Sequence, residues 1–181
     1  ALRIARRIGD ARIELLAYDV MASTEQQTGD WAKSQAHAER ALVLARRLGA
    51  RRFEAELAGR RALAIGNQGH PEAAEQLLDE ALALSRDTGM RYSGPMILGF
   101  LARTSRDPDK QRRALAQGEA ILTQSCVSHC HLDLYEAAIE VSLRNGRWDD
   151  ADRYADALQA YTRPEPFPWA QFLIRRARVL A

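Results

Sequence analysis

Apolar and polar positions along this chain follow a helical period, and one stretch of that pattern recurs. Ala41-Leu42-Val43-Leu44-Ala45-Arg46-Arg47-Leu48-Gly49 occurs earlier as Ala1-Leu2-Arg3-Ile4-Ala5-Arg6-Arg7-Ile8-Gly9. It returns, more loosely, as Ala81-Leu82-Ala83-Leu84-Ser85-Arg86-Asp87-Thr88-Gly89. The copies start 40 positions apart, as expected of a repeat protein whose units stack on their neighbours. Each period divides into two helices. The spacing predicts helices over 10–28 and 31–48, 51–68 and 71–88, 94–106 and 109–124, and 131–144 and 148–161. Gly29, Gly49, Gly69 and Gly146 end helices, Asp30 caps one, and Pro71 suits a first turn. Pro164-Glu165-Pro166-Phe167-Pro168 must be extended, because proline disfavours helix in the residue before it, and a last helix begins near Trp169.

The second helix of each pair carries small or apolar residues at fixed offsets. Ser34, Ala74, Ala114 and Ala151 are followed four positions on by Ala38, Leu78, Gly118 and Ala155. Three further come Ala41, Ala81, Ile121 and Leu158. Offsets of four and seven share one helix face, and small groups there admit a neighbouring helix. The first helices supply Ala22, Ala62 and Ala102 at the matching position, with Ile139 large in the fourth. The turn glycine recurs as Gly29, Gly69 and Gly146, with Asp109 in its place in the third pair, and Trp31 and Trp148 follow two residues after the turn.

With these residues in hand, the chain resembles the tetratricopeptide repeat over nearly its whole length. The period is longer than the family's ~34 residues and the closing proline is missing, as in the variant of bacterial signal-transduction ATPases. The resemblance implies an all-α, right-handed α-solenoid of tetratricopeptide-like hairpins. Residues 1–181 are expected to form a single repeat domain of about four hairpins with half-repeats at both ends, cut from a larger protein. A narrower stretch, 145–155 with Tyr161-Thr162-Arg163-Pro164-Glu165-Pro166 and Pro168-Trp169, resembles the C-terminal repeats of large bacterial adenylate/guanylate cyclase-type proteins. This implies a regulatory or partner-binding segment whose cyclase chemistry lies elsewhere. The alternative is the sensor or oligomerisation segment of an ATPase-type transcriptional activator.

Composition agrees with a helical reading and narrows the functions. Of 181 residues, 46% are hydrophobic and only 7% aromatic, so Ala and Leu must fill the core. Net charge is +2, too balanced to argue for direct nucleic-acid binding, and all but Lys33 and Lys110 of the 26 basic residues are arginine. No apolar run approaches the ~20 residues of a membrane span, and no signal peptide precedes the first helix. Two cysteines make no disulfide framework, so a cytoplasmic location is expected.

Candidate chemistry is sparse. Cys126, His129, Cys130 and His131 are metal-ligand types, but structural zinc needs a second, distant pair, and a turn with small buried thiols explains them better. Asp149, Asp150 and Asp152 suit a first helical turn, where carboxylates complement the helix dipole. Arg6-Arg7, Arg46-Arg47 and Arg86 recur near helix C-termini for the matching reason. No phosphate loop, dinucleotide fingerprint or hydrolase motif occurs, so neither cofactor nor catalytic residue is expected and the chain is not read as an enzyme.

The resemblance also implies a concave groove lined by first helices that takes a protein or peptide. Its positions fall on Asp19, Ser23 and Gln26; on Glu56, Gly59 and Leu63; on Met96, Gly99, Arg103 and Arg106; and on Asp133, Glu136, Glu140 and Leu143. Gly59, Gly66 and Gly99 weaken their helices, which points to close approach by a helix or a ligand. Exposed apolar faces on the terminal helices suggest a homodimer as a further partner state.

Overall fold

The computed structural model describes residues 2–181, so Ala1, the first residue of the repeated stretch, lies outside the described residues. Ten α-helices follow among them: α1 (Leu2–Ile8), α2 (Ala11–Thr28), α3 (Trp31–Arg47), α4 (Arg51–Asn67), α5 (Pro71–Thr88), α6 (Met90–Thr104), α7 (Pro108–Leu122), α8 (Ser128–Arg144), α9 (Trp148–Thr162) and α10 (Pro168–Leu180). Two compact units divide the chain, Ala1–Ser93 and Gly94–Ala181, so the division falls inside α6, next to Pro95. In the first unit each helix packs on the next, α1 on α2 through α4 on α5, and α2 also touches α4. The second unit follows the same rule: α7 packs on α8, α8 on α9 and α9 on α10, while α8 also reaches α10. This is a sequential array of helical hairpins. Among the described residues no helix is long and apolar enough to cross a membrane.

The repeated stretch is a seam between hairpins. Gly9, Gly49 and Gly89 all have positive φ (71°, 63° and 108°), a backbone that a Cβ disfavours, and each sits where one hairpin hands over to the next. Arg6 and Arg46 reach across this turn to Glu14 and Glu54, with Nε–Oε1 distances of 3.0 and 3.1 Å. The third copy lacks the pair because Gly94 stands where the glutamate would be. Both arginines are exposed, so these pairs steer the turn more than they stabilise it.

Small residues do the packing that their spacing predicts. Ala22, Ala38, Ala41, Ala62, Ala74, Ala114, Ala151 and Ala155 are all buried. Ser34, also fully buried, donates its hydroxyl to the Ala22 carbonyl (2.9 Å), which ties α3 to α2 where their backbones meet. In the second unit two glycines take the alanines' part. Leu134 of α8 is fully buried, and a Cβ on Gly118 of α7 would lie 2.7 Å from its Cδ1. A Cβ on Gly99 of α6 would lie 3.0 Å from Ala137 Cβ and 3.3 Å from the Asp133 carbonyl oxygen. Of the two explanations offered for Gly99, close approach by a neighbouring helix is the one observed.

Several boundaries in the second half of the chain differ from expectation. The third pair's first helix starts at Met90 rather than Gly94, which leaves Pro95 inside it. Tyr92 and Ser93 account for the extra turn: the Tyr92 ring stacks edge-on to Phe53 at 5.8 Å, and buried Ser93 faces Ser85 with 3.3 Å between hydroxyls. The same helix ends at Thr104, so Arg106 lies beyond it, exposed. Asp109 is likewise not the turn residue but sits in the first turn of α7, which Asp107 caps through the Asp109 N–H at 2.8 Å. Finally, α8 begins at Ser128 rather than His131, and this places Cys130 in its first turn, fully buried.

Replacing Gly99 with alanine tests the α6–α8 approach. Helix propensity alone favours the change by about 1 kcal/mol, yet the new methyl meets backbone that cannot swing away. The expected outcome in chemical denaturation is a net loss of about 1–2 kcal/mol. A net gain would mean that the two helices do not touch there.

Candidate functional site

The groove positions carried on α2, α4, α6 and α8 are the only place where the sequence points to recognition. Most of their charges turn out to be paired within the protein. In the first unit Arg60 of α4 is 5% exposed and lies between two carboxylates. Its Nε is 3.3 Å from Asp19 Oδ1 on α2, and its Nη2 donates to Glu56 Oε1 at 3.1 Å, one turn earlier on α4. Glu56 itself is 3% exposed. Tyr92 completes the group: burial, then the nearby Glu56 and Asp19 charges, push its phenol well above the usual range. Arg52 lies over its ring at 5.9 Å. A guanidinium this deep in the protein requires paired carboxylates, because an isolated buried charge costs several kcal/mol.

The second unit also links its first helices by charge, here with the arginine on the earlier helix. Arg103 of α6 donates to Glu136 of α8 (3.2 Å), and Arg144 of α8 donates back to the Arg103 carbonyl at 3.0 Å. One turn beyond Glu136, Glu140 accepts from Arg176 of α10. First helices are therefore joined in series by charges: α2 to α4 in one unit, and α6 to α8 to α10 in the other. Asp133 lies one turn before Glu136, and its carboxylate repels that of Glu136.

Glu136 carries a marked electrostatic consequence. Burial, with repulsion from Asp133 and Glu140, outweighs the pull of Arg103 and raises its carboxyl to about 7. His131 shifts the opposite way, as burial lowers its imidazole. Its ring stacks on Tyr161 of α9 at 4.2 Å, nearly parallel.

The remaining groove positions divide by burial. Ser23 is half-buried, while Gln26 is 7% exposed and its buried Oε1 receives no hydrogen bond from the described residues. Leu63 and Met96 are wholly buried, Leu143 nearly so, and Gly59 and Gly99 are also inside. These five serve packing.

The other candidates are dispersed. Cys126 is half-buried with Sγ 3.3 Å from the Ile121 carbonyl, Cys130 is a core residue of α8, and the two are not joined as a disulfide. Among the described residues no three His, Cys, Asp or Glu side chains gather into a set that could hold a metal ion. Asp150 lies 3.8 Å from Arg147, and Asp152 lies 3.9 Å from Arg178. Beside them Arg153 holds Glu119 of α7 through both nitrogens (2.7 and 3.3 Å), and the Tyr154 hydroxyl donates to the same carboxylate at 3.2 Å. Sequence reasoning missed this clasp because Glu119 and Arg153 are 34 positions apart, off the 40-residue period.

At the N-terminal end, Ile13, Leu16 and Val20 of α2 are 41–63% exposed. With Leu2 and Met21 they line an open apolar hollow of about 590 Å³, the face to which self-association was ascribed. No family model matches the chain, and no curated protein matches it.

The raised Glu136 carboxyl gives a pH-dependent prediction. The folded state holds this proton more tightly than an unfolded chain, whose value is near 4.5. Its contribution is thus fully present below that value and is lost as pH rises through about 7. Glu136→Gln cannot ionise, so the variant should gain on the wild type by about 1–3 kcal/mol between pH 5 and 8. Taking the difference between the two proteins removes the opposite contribution of His131. Melting curves at matched ionic strength check this, and a pH-independent difference would refute it.

Proposed function

We propose that this chain is a protein-interaction segment, built of tetratricopeptide-like hairpins wound as a right-handed solenoid, in a larger bacterial signalling protein of the nucleotide-cyclase type. It binds an extended peptide or helix of a partner along its first helices. The observation that supports this most is Gln26. A buried amide oxygen without a donor costs about 1–3 kcal/mol, and turning the Gln26 side chain outward past half-buried Ser23 would let a peptide N–H laid along α2 recover it. The charges at Asp19, Glu56, Arg103, Glu136 and Glu140 support the reading differently. Paired with arginines, between helices in every case but Glu56, they hold the binding face in shape, and they leave recognition to hydrogen bonds and shape rather than to net charge. The cyclase connection rests on the resemblance of residues 145–169 alone.

Peptides selected on the wild-type chain from a random phage library provide the test. Gln26→Leu should weaken the selected peptides about tenfold, the loss of one good hydrogen bond, without lowering the melting temperature. Ala36→Leu, on the exposed side of α3, should change neither. Peptides that bind Q26L as well as wild type, or that lose affinity with A36L instead, would place the binding face elsewhere.

A further inference from the structure

The proline-rich connection between α9 and α10 walls a cavity of about 270 Å³ that the groove reading does not use. Gln159 and Thr162 of α9, Arg163 at its end, and Gln171, Arg175 and Arg178 of α10 line it, along with Pro166 and Ile174. Three guanidiniums thus face one hollow, and its wall contains no carboxylate. Only one of the three is neutralised. Arg178 donates to Asp156 (2.8 Å) and to Gln159 (2.6 Å) and lies 3.9 Å from Asp152, which fixes it between α9 and α10. Arg163 and Arg175 have no carboxylate within 4.0 Å among the described residues, and both are exposed. Elsewhere in the second unit Arg103, Arg112, Arg113, Arg147, Arg153 and Arg176 meet carboxylates, and Arg144 donates to the Arg103 carbonyl.

α10 starts at Pro168 after Phe167, whose side chain makes no capping bond, while α9 ends at Thr162 on the same turn, so the two helix-end dipoles oppose each other and the positive field comes from the arginines. Pro164, Pro166 and Pro168 restrict the connection, so Arg163 and Arg175 are brought together without a flexible loop between them. Guanidinium forks match tetrahedral oxyanions through paired N–H donors, and the two glutamine amides and the Thr162 hydroxyl add neutral donors. The volume equals that of about nine waters, which is more than inorganic phosphate fills.

The geometry points to a binding site for a phosphate monoester in the α9–α10 cavity, held by Arg163 and Arg175 with Arg178 as the fixed third cation. The phosphate belongs either to a small metabolite or to a phosphorylated side chain, and both present the same dianion. The site uses none of the groove residues on α2, α4, α6 and α8 and stands whether or not they bind peptides.

Isothermal titration at constant ionic strength, set with chloride, tests it on the full chain with three probes. These are inorganic phosphate, glycerol phosphate and a blocked Gly-phosphoserine-Gly peptide. Saturable one-to-one binding of at least one organic phosphate, weakened tenfold or more in Arg163→Gln/Arg175→Gln, is the expected result. The control Arg7→Gln/Arg47→Gln removes the same charge far along the sequence and should bind as wild type does. Tighter binding of the phosphopeptide would identify a protein source, and tighter binding of glycerol phosphate a small-molecule one. Absence of saturable binding in the wild type, or equal weakening in the control variant, overturns the proposal. Both variants alter exposed arginines without carboxylate partners, so folding is preserved, and matching melting temperatures verify this.

Discussion

Close approach between helix backbones is the constraint on which everything else in this protein depends. Among the described residues no helix exceeds 18 residues, and helices of that length are marginal in water on their own. They persist because each buries one face on the next helix in the chain. With few aromatics available, contact is made at buried alanines, by Ser34 on the Ala22 carbonyl, by Ala137 against Gly99, and by Leu134 seated over Gly118. A core of this kind leaves no slack. One methyl group at Gly99 or Gly118 meets atoms already in place.

Close approach also decides the fate of the charges. A polar side chain on a first helix does not stay in open water when the next first helix lies against it. Arg60 is trapped between Asp19 and Glu56, and Arg103 between helices α6 and α8 beside Glu136. Once desolvated, such groups must be paired, and the pairs then specify which helix sits beside which. Exposed pairs such as Arg46–Glu54 do less, because solvent screens them. Where a carboxylate is crowded by others, as Glu136 is by Asp133 and Glu140, the fold favours its proton instead.

The helices were legible in the sequence because their signals are local. Asp30 caps the helix its position predicts, Asp10 and Asp107 cap by the same short-range chemistry, and the glycine seams recur on a fixed period. Boundaries failed where tertiary burial overrode local preference. Tyr92 and Ser93 drew α6 back past Pro95, and Cys130 drew α8 back past His131. The groove positions were legible as positions but not as an electrostatic state, since one-dimensional spacing does not reveal that Arg60 lies on Asp19. The Glu119–Arg153–Tyr154 clasp and the arginine cavity were invisible for the same reason: they join residues that keep no repeat register.

The charged residues of the first helices thus act first as connectors, and a partner meets the surface they hold in place. Substitution of Arg60 tests this most directly. Arg60→Met leaves two carboxylates uncompensated at a nearly closed site and should cost about 3–5 kcal/mol in denaturant titration. Adding Asp19→Asn and Glu56→Gln to the same protein should restore most of that loss, since the trapped charges are gone. A cost below about 1 kcal/mol for Arg60→Met alone, the value of an exposed pair, would contradict the account.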